Sequence, residues 1–323
     1  MRVSFSLGSL LTVNEIFECT KILSKTTIDT IWVPETWGME NFSVLSMVSQ
    51  LAKKPRIGSS IVNVYSRSPA LIAMGAATLD TISNKRLVLG LGASSIPIVE
   101  NFHGYKFEKP LVRMEEVIKI IRLLLEGNKV NYAGEVFNLK NFSLLITPPR
   151  KKIPIFMAAV NKKMTELAWK ITDGVIFYLR PMSELKDTIK KMQKIRKIET
   201  TCQIITSVNQ DSQLARDRAK KTLAFYVSVG KVYRNFLAEN GYSSETNNIF
   251  EEFKTSGLKS NHENVSEKML DELTISGTPE ECKNQLHRFK ETGIDLPIIQ
   301  FNPTGNILES CKLFATTFLG EKK

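Results

Sequence analysis

At 323 residues, 42% of them apolar and 24% charged, the chain has the composition of a globular protein with a large core, not of a disordered or fibrous one. A net charge of +11 raises the question of nucleic acid, but the basic residues are interleaved with glutamate along helical segments such as Lys186 to Lys197, and no basic stripe with interspersed aromatic residues occurs. The longest apolar runs, Leu87 to Ala93 and Ile153 to Val160, are too short to cross a bilayer, and the start Met1-Arg2-Val3-Ser4-Phe5 has no signal-peptide pattern, so a cytoplasmic protein with neither membrane nor nucleic acid as partner is expected.

Short runs dense in Val, Ile, Leu and Phe alternate with longer amphipathic ones along the chain. A strand over Arg2–Ser9 precedes a helix over Thr12–Ser24, which sets Val13, Ile16, Phe17 and Ile22 on one side. Strands over Thr30–Glu35 and Arg56–Asn63 follow, then a helix over Ser68–Ser83 with Ser68 as N-cap and Pro69 in its first turn. A fourth strand, Arg86–Gly92, opens a stretch over 93–150 that holds a loop, a helix over Leu111–Leu125 and a hairpin around Ala133-Gly134-Glu135. Strands over Ile153–Ala159 and Gly174–Leu179 flank a helix over Lys162–Ile171. After a seventh strand, Thr201–Asn209, residues 210–275 read as a long helical segment whose polar part, Gly241 to Glu267, is expected to be mobile. A helix over Pro279–Thr292, stopped by Gly293, leads to the last strand, Leu296–Asn302.

Dense rather than alternating apolar strands imply cover on both faces, and alternating β and α elements imply right-handed crossovers and a parallel sheet. Eight such units predict a closed (β/α)8 TIM barrel, α/β in class, forming a single domain over 1–323 with insertions after strands 4 and 7. Insertions that follow barrel strands lie on the C-terminal face, so both are expected to wall or cover a site there.

No GxSxG elbow, HExxH or P-loop is present, and His103, His262 and His287 are not spaced as metal ligands, so no metal site is expected. Cys19, Cys202, Cys282 and Cys311 lack CxxC spacing and read as free thiols. Gly90-Leu91-Gly92 is half of a dinucleotide fingerprint in the wrong place, and reads as a tight turn where the chain leaves the barrel. The strand ends say more. Glu35, Thr36 and Trp37 follow the second strand, Asn63, Tyr65 and Arg67 the third, and Ser94 and Ser95 the fourth. Ala158, Ala159 and Asn161 end the fifth, and Tyr178 and Arg180 the sixth. This aromatic, hydrogen-bonding set, poor in nucleophiles, suits a flat conjugated cofactor that carries its own chemistry.

Four segments carry a resemblance: Ile57-Gly58-Ser59-Ser60-Ile61-Val62-Asn63 continuing to Tyr65-Ser66-Arg67-Ser68-Pro69-Ala70; Ala77-Thr78-Leu79-Asp80 with Asn84 to Gly92; Tyr132 to Phe137; and Gly277-Thr278-Pro279-Glu280-Glu281. Together they resemble the luciferase-like monooxygenase superfamily, and within it the coenzyme F420 (deazaflavin)-dependent reductases that include methylenetetrahydromethanopterin reductase. The resemblance implies an oxidoreductase transferring hydride between coenzyme F420 and a small organic substrate. An FMN-dependent two-component monooxygenase and a barrel that binds cofactor without catalysis are the alternatives. It further implies a non-prolyl cis peptide at Ser60–Ile61 behind the cofactor ring, with Asn63 close by. The cofactor phosphate is expected on the backbone of Ala158, Ala159, Val160 and Asn161, at a helix start, with Tyr178, Leu179 and Arg180 as the second phosphate-side segment. Arg180 would add a charged contact there. Trp37, Tyr65 and Ser95 are the substrate-side candidates. Relatives commonly carry Asp-His after the second strand where this chain has Glu35-Thr36, and some carry an acid where it has Ser95. Glu35, beside Thr36, is therefore the remaining candidate acid, its other reading being a strand-end carboxylate tied to a basic neighbour or a backbone N–H. The resemblance also implies a homodimer in which the early helices pack between subunits, and the basic surface suits an anionic cofactor.

Overall fold

The apolar runs become strands in chain order: β1 (Ser4–Ser6), β2 (Thr30–Val33), β3 (Arg56–Ser59), β4 (Val62–Asn63), β5 (Leu87–Gly92), β6 (Val130–Ala133), β7 (Asn138–Phe142), β8 (Ile155–Ala158), β9 (Gly174–Tyr178), β10 (Glu199–Val208), β11 (Thr274–Gly277) and β12 (Leu296–Phe301). This is a computed structural model, and it describes residues 2–8 and 10–321; Met1 and Ser9, the expected end of the first strand, lie outside the described residues.

All pairings in the main sheet are parallel, and the order β1–β2–β3–β5–β8–β9–β10–β12 returns to β1. The eight expected strands thus close into the expected barrel. The third is split: β3 ends at Ser59, the Ser60–Ile61 peptide is cis, and β4 resumes the pairing with β5 through Val62 and Asn63.

One strand was not foreseen. β11 pairs with the far half of β10, Ile205–Val208, beyond the reach of β9. Four residues directly after a helix give no run long enough to read as a strand.

Two layers of packing follow from the double-sided strands. Inside the barrel, Trp32, Val88, Phe156, Ile176, Leu296 and Ile298 form a closed cluster. Gly58 and Gly174 make it possible, because a Cβ on either would meet the Trp32 ring at 2.3 Å or the Phe156 ring at 2.6 Å. Outside, the strands pack on the helix layer, whose starts are capped by side chains, at Ser68 as the sequence indicates. Thr12 and Thr278 form capping boxes with Glu15 and Glu281, and Ser68 and Asn161 cap the helices Pro69–Ile82 and Lys162–Ile171.

The insertion after β5 holds the helix Pro110–Leu125 and the β6–β7 hairpin. Its anchor is Glu116, whose carboxylate accepts the N–H groups of Glu135 (2.6 Å), Val136 (3.1 Å) and Phe137 (2.9 Å) at the hairpin turn. The insertion after β10 is helical, including Ser243–Ser256 in the polar stretch. A second apolar cluster, with Leu223, Val227, Ile249, Met269 and Leu270, joins this insertion to Leu179 and Ile205 at the barrel's edge. No described helix is long and apolar enough to cross a membrane.

Candidate active site

The C-terminal mouth is built on the β3–β4 break. Gly90 and Gly92 lie within β5, not in a turn as the sequence suggested. A Cβ on Gly90 would stand 1.9 Å from the Ser59 carbonyl oxygen, and one on Gly92 would stand 2.6 Å from Ile61 Cγ1. The paired glycines therefore let β5 press against the bulge. Ser59 locks the contact: its hydroxyl donates to the Gly90 carbonyl (2.9 Å) and accepts the Gly90 N–H (2.8 Å). Ile61, only partly buried, rests on the interior cluster and so forms an apolar platform at the mouth.

Polar atoms at this end of the barrel lack partners. Among the described residues, twelve buried side-chain nitrogen or oxygen atoms have no hydrogen-bond partner; five of them belong to Ser6, Ser60, Asn63, Tyr178 and Ser207, at or beside the C-terminal ends of barrel strands. Each such group costs about 1–3 kcal/mol when left unmade, so five of them at one end of the barrel make that end the candidate site. Asn63 Oδ1 accepts the Tyr65 N–H at 2.8 Å, which fixes the side chain and leaves Nδ2 without a partner.

On the β8 side, Asn161 begins the helix Lys162–Ile171 and its Oδ1 accepts the Met164 N–H at 3.0 Å. The Ala159 N–H is taken by the Ile176 carbonyl at 3.2 Å. What is left for a ligand is the N–H set of Val160, Asn161, Lys162 and Lys163 at the positive end of the helix. Arg180 stands here but is turned into the protein, at 3% exposure. It donates to Glu184 Oε1 (2.5 Å), to the Val160 carbonyl (2.6 Å) and to Thr165 Oγ1 (3.1 Å), and its guanidinium lies over the Phe177 and Phe236 rings at 4.4 and 4.6 Å. It holds the loop in shape from within.

The rim is ion-paired. Arg67 grips both oxygens of Glu35 at 2.6 Å and also reaches Glu40 at 2.7 Å, while the Asn41 N–H donates to Glu35 Oε1 at 3.2 Å. The hydrogen bond to Glu35 raises the Arg67 pKa. Glu35 is thus tied both to a basic neighbour and to a backbone N–H. Thr36 is half-buried in the bend that follows, and Trp37, next to it, is 56% exposed. Tyr65 is clamped by the first insertion: its hydroxyl donates to the Glu108 carbonyl at 2.8 Å, its ring stacks on Phe107 at 5.0 Å, and Arg113 covers it at 4.4 Å. Ser95 is half-buried after Ser94, whose φ is 61°.

The sequence did not foresee the partners of Tyr178. Tyr226 and Tyr233, from the second insertion, stand edge-on to it at 5.0 and 5.5 Å, and Gln203 donates to Gln300 at 3.3 Å on the neighbouring strands. Burial pushes the Tyr178 phenol well above its ordinary pKa, and the nearby Tyr226 adds to the shift, so it stays a neutral donor. The available signal was the four-residue spacing of Arg218, Thr222 and Tyr226, which sets three polar groups on one helix face.

Two surface depressions, of about 380 and 400 Å³, lie at the opposite side, before β8 and beside Thr26; neither involves the unpartnered groups of the mouth.

Comparison with known proteins adds the family. The profile described as luciferase-like monooxygenase matches residues 3–296. A 5,10-methylenetetrahydromethanopterin reductase of Archaeoglobus fulgidus is 30% identical over 300 residues, 88% of each chain. A putative coenzyme F420-dependent oxidoreductase of Mycobacterium tuberculosis is 26% identical over 300 residues, 84% of this chain and 86% of the other. Among solved structures, the coenzyme F420-dependent tetrahydromethanopterin reductase of Methanopyrus kandleri superposes with a TM-score of 0.86 at 20% identity, covering 98% of both chains, which shows a shared fold.

Proposed function

The chain belongs to the luciferase-like monooxygenase family, and we propose that it is a coenzyme F420-dependent oxidoreductase exchanging hydride with a small organic substrate. The observation that carries this reading is the set of unpartnered polar atoms of Ser60, Asn63 and Tyr178 at strand ends of the barrel mouth, the end that also carries the Ile61 platform. These residues fit a flat deazaflavin: an apolar surface for one face of the ring, and donors and acceptors for its polar edge. The cofactor supplies a carbon that gives or accepts hydride.

This chain's own residues do the rest. Ile61, with the bulge behind it, supports the ring from one side. The amides of Val160 to Lys163 hold the phosphate at a helix start, and Arg180 keeps that loop in place through the Val160 carbonyl. Tyr178, with its proton retained, donates at the ring edge. Glu35 and Thr36 shape the rim beside Trp37, since both Glu35 oxygens are engaged by Arg67, and protonation of the reduced substrate is left to water. Exposed apolar side chains on two adjacent early helices, Met47, Leu71, Met74 and Ile82, favour a homodimer through that face, to be read by light scattering.

Titration of the protein with coenzyme F420 and with FMN, followed by the change in cofactor fluorescence, tests the assignment. The expected result is tight deazaflavin binding with FMN at least tenfold weaker. Tight FMN and undetectable deazaflavin binding would move the protein to the oxygen-activating members of the family. Deazaflavin binding without turnover of any acceptor would leave a cofactor-binding barrel.

A further inference from the structure

The helix Ser212–Val229 presents one face to the exits of β9 and β12. Arg218, Thr222 and Tyr226 share that face at four-residue spacing. Tyr226 meets Tyr178 of β9. The Thr222 hydroxyl meets Asn302 Oδ1, just past β12, at 3.3 Å. Arg218 donates from Nε to the Pro303 carbonyl at 3.3 Å and from Nη1 to Thr222 Oγ1 at 3.1 Å. Its guanidinium therefore sits on the rim of the C-terminal mouth, on the same helix face as the tyrosine wall.

What sets Arg218 apart is the missing counter-charge. Two residues away, Arg216 pairs with Glu267 and with Asp271. Arg86, which also lacks a carboxylate partner, fills four backbone carbonyls. Arg218 is partly buried, has no acid within ion-pair distance among the described residues, and meets one long carbonyl contact and one hydroxyl. Burial draws its pKa down, and no acid offsets the effect. Its surroundings are polar and uncharged: Asn302 is held by the Thr206 and Gln300 carbonyls, and Asn209 donates to Thr304 Oγ1 at 2.7 Å. A partly desolvated guanidinium fork in such a setting matches a carboxylate, which would accept two parallel N–H bonds and supply the missing charge.

We propose that Arg218 is an anion-binding residue of the substrate wall and takes a carboxylate of the molecule that exchanges hydride with the cofactor. This rests on the hydride-transfer reading above. It places the substrate over β10 and β12, away from the phosphate loop on β8.

Succinate serves as the carboxylate probe, inorganic phosphate as the competing anion and succinamide as the uncharged control, each read by the shift in Tm. Coenzyme F420 affinity is measured on the same samples. Succinate is expected to raise the Tm of the wild type while succinamide does not. Arg218→Gln is expected to weaken succinate binding about tenfold or more, and Arg218→Lys to keep a reduced response, with deazaflavin affinity unchanged in both. Arg218→Lys retains the charge and stem, and so covers the case in which Arg218→Gln does not fold. No succinate response in the wild type, or an equal response in Arg218→Gln, overturns the proposal. A response to phosphate alone overturns the carboxylate assignment. Loss of deazaflavin affinity in Arg218→Gln assigns the guanidinium to the cofactor and overturns the substrate role. A wild type that answers succinate but binds no deazaflavin defeats the hydride-transfer reading and leaves the anion site standing.

Discussion

The two ends of the barrel treat their polar groups in opposite ways. At the N-terminal end, Arg2 and Arg56 are shared between Asp29 and Glu199, tying the starts of β1, β3 and β10 together at 2.7–2.9 Å. Arg150 grips the fully buried Asp80, which also accepts the Leu87 N–H, and Arg196 donates to the Trp169 and Thr172 carbonyls. At the C-terminal end, Ser6, Ser60, Asn63, Tyr178 and Ser207 hold buried polar atoms with no hydrogen bond of full geometry, and Arg218 has no acid, among the described residues. One end uses polarity to close the fold, and the other leaves it available for a ligand. Satisfied polar groups hold a barrel together; the unsatisfied ones are where the proposed cofactor would bind.

Mutations should separate the two ends. Asp80→Ala leaves Arg150 and the Leu87 N–H without their acceptor, and should destabilise the protein by about 3–5 kcal/mol in urea unfolding while changing cofactor affinity little. If stability holds, the closed end is not what the geometry indicates. Arg180→Ala should fall between the two classes. Loss of the buried pair with Glu184 should cost about 2–4 kcal/mol of stability, and loosening of the Val160 loop should weaken deazaflavin binding by less than the loss of a direct charged contact would. A purely binding effect, with stability intact, would return Arg180 to the phosphate itself.

Acid should find the closed end first. Burial alone would push the Asp29 carboxyl up, but the hydrogen bonds and charges of Arg2, Thr30 and Arg56 outweigh it and bring its pKa to about 2. Burial likewise opposes, and Arg56 and Arg2 overcome it, at Glu199, whose pKa is also lowered. A carboxyl whose folded pKa lies below its unfolded value stabilises the protein fully above the unfolded value, about 4, and loses that contribution as pH falls toward 2. Urea midpoints measured across this window should drop, and Arg56→Gln should flatten the drop. A flat profile in the wild type would show that the cluster adds nothing.

Much of this was legible in the sequence, for a physical reason. The eight ring strands announce themselves because both faces are buried, and the cap at Ser68 carries local chemistry that needs no tertiary context. The Ser60–Ile61 bulge was readable only through family likeness, and the role of Gly90 and Gly92 beside it was misread because it depends on a neighbouring strand. Arg180 and Tyr65 lie near strand ends as expected, but nothing in the chain indicates that one turns inward and the other is capped by Phe107 and Arg113. Tyr226, Tyr233 and Arg218 escaped because their meaning depends on how an insertion folds back over the barrel. Charge pairing and side-chain direction are decided by long-range packing, which periodicity does not record.

The most direct test of the account is Tyr178→Phe, which removes from the open end a buried hydroxyl that has no hydrogen bond of full geometry, though Tyr226 and Gln300 stand near it. Measured without ligand, its stability should stay within about 1 kcal/mol of the wild type, because Tyr226 and Gln300 stand near the hydroxyl but make no hydrogen bond of full geometry with it. Titrated with coenzyme F420, it should bind about threefold to tenfold more weakly, the loss of one hydrogen bond made only in the complex. Lower stability with unchanged deazaflavin affinity would contradict the account, because the hydroxyl would then serve the fold and not the ligand.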